Sequence, residues 1–191
     1  LEALIDSAGE QSLFYRLGTD QPVLEALSFN DQAVRYTAAI AVATAGPRRQ
    51  FPESVLVMET LAEAIRPADN EAADEKDSEY TIRALEAVQN SAHSRNPVLD
   101  PETILQTMVD ASRDPRPAVL VRVADILAYI DSPDAQRAIA AIAMREENEA
   151  SVRISAFDSL ANSAKLNGSL LDDSSIESIY SLISSDQTEP Q

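Results

Sequence analysis

Four arginines recur at comparable places in helix-periodic stretches: Arg35, Arg83, Arg122 and Arg153. Guanidinium groups repeated in this way have the donor geometry to line a phosphate or carboxylate site. Ion pairs that hold a fold together use the same groups, and that structural reading is the stronger one. His93 is the only histidine. It falls at a helix end beside Ser91 and Ser94, where the helix dipole favours a cation. Metal sites with nitrogen ligands draw on more than one His or Cys, so capping or solvation outweighs a ligand or general-base role. Asp69, Glu71, Asp74, Glu75, Asp77 and Glu79 form a carboxylate run. The run lacks the glycine and the terminal glutamate spacing of an EF-hand loop, and reads as a solvated, self-repelling segment. Glu146-Glu147 and Asp172-Asp173 sit at helix ends as caps and surface charge.

Other chemistry lacks its signatures. The serines have no G-x-S-x-G setting and no triad histidine beyond His93. There is no Walker sequence, no G-x-G-x-x-G and no C-x-x-C, and the chain contains no cysteine. No catalytic residue, metal ligand or cofactor is assigned, and the expectation is a non-enzyme.

Charge narrows the partners. The formal net charge is −17, from 32 acids against 15 bases. A nucleic-acid binder needs a basic face, and an anionic membrane repels such a chain. The expected partner is a protein of basic character, with no nucleic acid and no membrane insertion. No apolar run of about 18 residues is present to span a bilayer. The sequence opens on Leu1-Glu2-Ala3-Leu4-Ile5 rather than Met, and the expectation is a fragment of a longer protein.

The residues in question need elements to position them. Apolar residues make up 45% of the chain but aromatic ones only 5%, and 4 glycines are too few for a hairpin-rich β fold. In Asn30 to Val42, NDQAVRYTAAIAV, an Asn-Asp start signal precedes Val34, Ala38, Ala41 and Val42, which fall on one helical face. The same reading predicts helices over 1–8, 11–17, 21–29, 31–44, 53–66, 79–92, 100–112, from the turn 114–117 to 130, over 132–146 and 148–165, and from 172 onward. Between them, 67–77 is acidic and without large apolar groups, and is expected to be a flexible loop. Residues 188–191 are expected to be a disordered tail.

The helix pairs resemble HEAT repeats. Asp31, Val34-Arg35, Ala38 and Val42 carry the resemblance, as do Val152-Arg153, Ala156 and Leu160. Looser versions surround Tyr80, Ala84 and Val88, with Arg83, and Leu120, Ala124 and Ala128, with Arg122. The resemblance implies an all-α fold, an α-α superhelix (right-handed solenoid) of about four to five antiparallel HEAT-like helix pairs, forming one domain over 1–187. It also implies that the arginines pair with acids of the preceding turns and tie repeats together, which would give Asp31, Arg35, Asp114 and Arg153 a structural role between repeats. The signature helices would line a concave side that exposes Tyr36, Glu86, Arg122, Tyr129 and Asp158 to a partner. Segment 26–66 further resembles parts of large bacterial HEAT proteins that carry an inserted domain; 67–77 then marks the insertion point. The implied function is a non-catalytic protein-interaction scaffold. HEAT-like proteins also include bilin lyases and DNA glycosylases, so a lyase-like enzyme is the rival from another class. A plain spacer between domains is the third reading.

Overall fold

The computed structural model describes residues 21–66 and 75–186. The helices expected over 1–8 and 11–17, most of the acidic loop (67–74) and the tail (188–191) lie outside the described residues. The described residues are all-helical, with no strand among them. In chain order the helices are α1 (Pro22–Glu25, continued by a 3-10 turn Ala26–Ser28), α2 (Gln32–Thr44), α3 (Ser54–Ile65), α4 (Glu75–His93), a 3-10 turn Pro101–Ile104 leading into α5 (Leu105–Ala111), α6 (Pro117–Leu127), α7 (Pro133–Met144), α8 (Ala150–Asn167) and α9 (Asp173–Asp186). The contacts divide the chain into two compact units, Leu1–Ala111 and Ser112–Gln191, where the sequence pattern implies one domain over 1–187.

Short polar side chains set several of the helix starts. The Asp31 carboxylate accepts from the Ala33 and Val34 N–H groups at 2.9 and 3.3 Å. Asp100 accepts from Glu102 N–H at 3.0 Å, and Ser132 from Asp134 N–H at 3.2 Å. Each satisfies an amide that the first turn leaves without a partner. Proline follows the cap at Pro101 and Pro133, where its missing N–H costs nothing. Helix α4 is described from Glu75, which lies within the segment 67–77 expected to be a loop.

In the first unit, α2 packs on α3 and on α4, and α3 packs on α4, on the 3-10 turn Pro101–Ile104 and on α5. In the second, α6 packs on α7 and α8, α7 on α8, and α9 on α7. A helix therefore rests mainly on the next and the next but one. The buried residues are alanine and aliphatic groups: Ala38, Val42, Leu61, Ile65, Leu85 and Met108 in the first unit, Leu120, Leu127, Ile139 and Ile142 in the second. Each large one contributes about 1.5–3 kcal/mol when taken out of water. Alanines at the contact face let helix axes approach more closely than leucines would.

Candidate functional site

A well-defined concavity lies within the first unit. One wall is the start of α3. The other is the connector between α4 and the turn Pro101–Ile104. Although the connector is irregular, its path is fixed. Helix α4 ends in a Schellman arrangement, with Asn96 N–H on Ser91 C=O at 2.9 Å and Arg95 N–H on Ala92 C=O at 3.1 Å. This requires a left-handed residue, and Arg95 takes that position at φ 45°. Next, the buried Asn96 side chain accepts from Val98 N–H at 2.8 Å and Leu99 N–H at 3.1 Å. Leu99 is thereby turned fully into the core, and Asp100 caps the following turn. Pro97 is left exposed and Val98 half-buried.

Between these walls is a groove of about 330 Å³. Its apolar lining is Val55, Met58, Pro97, Val98 and Ile104; Gln50, Ser54, Glu59, Asp100 and Thr103 supply the polar part. Val55 is 66% exposed, a large aliphatic side chain presented to solvent on a rigid helix. The two formally charged residues in the lining are Glu59 and Asp100, both acids. Among the described residues, two buried side-chain polar atoms have no hydrogen-bond partner, Glu53 Oε2 and Asn96 Nδ2. Both are sequence neighbours of lining residues, Ser54 and Pro97. Unsatisfied buried polar atoms are rare in folded chains.

The residues expected to face a partner divide between the units. Tyr36, expected on an exposed surface, is buried at 6%. Its hydroxyl accepts from Gln32 Nε2, and its ring meets Tyr80 edge-on with centroids 5.7 Å apart. Glu86 and Asp158 are exposed. Tyr129 is half-buried, as is Arg122, which donates to the Ala118 carbonyl at 3.2 Å.

The residues expected to tie repeats together bind mainly backbone. Arg35 donates to the carbonyls of Phe29 at 3.1 Å and Asn30 at 3.2 Å, and to Glu63 of α3 at 3.3 Å. Arg153 donates to the Ala143 carbonyl at 3.2 Å. The Asp31 carboxylate is spent on its own helix start. Asp114, 2% exposed, holds Arg116 by two bonds of 2.9 and 2.7 Å. The hydrogen bonds that the Arg116 guanidinium donates to Asp114 are the main cause that raises Arg116 above the ordinary guanidinium value, outweighing desolvation.

His93 is exposed, and Arg83 pairs with Glu79 at 3.6 Å within α4. Among the described residues no group of three or more His, Cys, Asp or Glu is placed to hold a metal ion, and no helix is long and apolar enough to cross a membrane. Sequence reasoning missed the groove residues. Asp100-Pro101 reads from sequence as a helix start, whereas 94–98 reads only as a connector, although Asn96 stands two residues before an aliphatic.

No family model, curated protein or solved structure matches the chain.

Proposed function

We propose that the protein is a non-catalytic protein-interaction scaffold, in which each unit is a short run of HEAT-like helix pairs. One observation carries the reading: within each unit a helix packs on its next and next-but-one neighbours. Helix pairs stacked side by side make that pattern, because each pair touches only the pairs beside it. A bundle wrapped round one centre would also bring together helices farther apart in the chain. The carbonyl-binding arginines support the same reading. Arg35 and Arg153 occupy equivalent places in the two best repeat matches; Arg35 binds a carbonyl of the turn just before its helix, and Arg153 binds the Ala143 carbonyl in the last turn of the preceding helix.

A stack of this kind spends its polar groups on holding helices together and presents a long surface to partners. With a net charge of −17, that surface attracts basic proteins and speeds their encounter. The full chain should be tested on an array of immobilised basic and acidic proteins. Selective capture of basic members, weakening as salt rises, is the expected result. If neither class is captured at low salt, the scaffold reading fails.

A further inference from the structure

We propose that the groove between α3 and the Pro97–Ile104 segment docks a short basic segment of a partner protein, seating one aliphatic side chain against Val55 and Val98 with Lys or Arg beside Glu59 and Asp100. The proposal rests on the scaffold reading and names its site and its partner chemistry. At about 330 Å³, the groove is at the low end of small-ligand sites, which run from about 300 to 1,000 Å³. That space suits one or two side chains better than a cofactor. Its apolar part includes Val55, 66% exposed and held on a helix, so an aliphatic group placed there removes apolar surface from water on both sides.

The charges select the occupant. Glu59 and Asp100 line the groove and no cation does, so cationic residues flanking the anchor meet only opposite charge. A second copy of the chain would bring another −17 with it, and a nucleic acid or anionic lipid would be repelled in the same way. The connector wall is already ordered by Asn96 and the Schellman bonds, so little freedom remains to be lost on binding.

The test pans a display library of random linear peptides on the full chain and on two variants, Val55→Lys and Glu59→Lys. Both sites are exposed, so both variants should keep the parent helicity, which circular dichroism checks. Peptides enriched on the parent should carry Leu, Ile or Met flanked by Lys or Arg. A selected peptide, followed by fluorescence anisotropy, should bind each variant about tenfold more weakly or worse, with the difference shrinking at high salt. Acidic peptides, no enrichment, or equal binding to parent and variants would overturn the proposal. So would self-association by sedimentation that Val55→Lys abolishes, because the occupant would then be a second copy. If the groove fails while the protein array still captures basic proteins, the scaffold reading stands with its surface elsewhere. If the array is blank, the scaffold reading fails.

Discussion

Helices α2 and α8 carry the two best matches to one repeat pattern and are packed very differently. Aligned on Val34-Arg35 and Val152-Arg153, the equivalent residues are Tyr36 and Ile154, Ala38 and Ala156, Ile40 and Asp158, and Val42 and Leu160. The pairs Ala38/Ala156 and Val42/Leu160 are buried in both helices. At the other two, α2 buries Tyr36 and Ile40, whereas Ile154 is 62% exposed and Asp158 lies in solvent. The reason is the neighbours. Helix α2 is flanked by the α1 turn, α3 and α4, whereas α8 rests on α6 and α7 and the following α9 packs on α7. The repeat pattern specifies the stripe every such helix buries; how much more is covered depends on what lies alongside.

The largest expected effect exploits that contrast. Tyr36→Ala removes a buried ring, its edge contact with Tyr80 and its bond to Gln32, and should cost about 3–5 kcal/mol. Ile154→Ala should stay within about 0.5 kcal/mol, as exposed substitutions do. Chemical denaturation of both variants checks this, with equal losses breaking the comparison.

The second unit compensates with a polar tie. Gln136, 1% exposed on α7, donates to Ser163 Oγ at 3.2 Å and to the Gly168 carbonyl at 2.8 Å, and accepts from Leu170 N–H at 2.9 Å. Nothing in its sequence setting sets it apart from an exposed helix-start glutamine. Gln136→Ala leaves those groups without their partner and should destabilise by about 2 kcal/mol. Gln136→Glu sharpens the point: it keeps the acceptor for Leu170 but turns an oxygen toward the Gly168 carbonyl, so it should rescue little. A full rescue would mean that filling space, not donating, is what matters.

These cases show what was legible in the sequence. Helix existence came from apolar spacing, and starts from Asp31, Asp100-Pro101 and Ser132-Pro133, because both signals are local. The depth of burial at Tyr36 was not legible, since the same motif at Ile154 ends in solvent. Pairing was misjudged for a related reason. Asp31 lies four residues before Arg35, yet its carboxylate is better used on amides two and three residues away. The groove joins stretches about forty residues apart through a connector whose shape depends on a buried Asn and a left-handed Arg, neither of which has a periodicity to detect.

Two helix ends extend the comparison. Helix α8 stops on Gly168 at φ 80° and ψ 175°, with its N–H on the Ala164 carbonyl at 3.0 Å, a conformation nearly reserved for glycine. Helix α4 stops on Arg95, also left-handed. No atom crowds a Cβ at Gly168, so Gly168→Ala isolates the backbone cost, about 1–3 kcal/mol. Arg95→Gly should move the other way, gaining up to about 1 kcal/mol. Thermal melts read both; a loss at Arg95 would mean that its side chain has a task of its own.

The smallest effect concerns acid. Asp172 opens α9 by accepting from Ser175 N–H and Ser174 Oγ, each at 2.8 Å. The Ser175 amide is the main cause that holds this carboxyl below its ordinary 3.8, with the Ser174 and Ser175 hydroxyls adding to it. The folded state therefore takes up the proton less readily than the unfolded chain. The capping contribution is complete above the ordinary carboxylate value and is lost as pH falls through the lower folded one. An NMR titration should show the Ser175 amide shifting with a midpoint below the ordinary carboxylate value, with no such step in Asp172→Asn. A step at Ser175 at or above the ordinary value would mean that Asp172 is not capping α9 in solution.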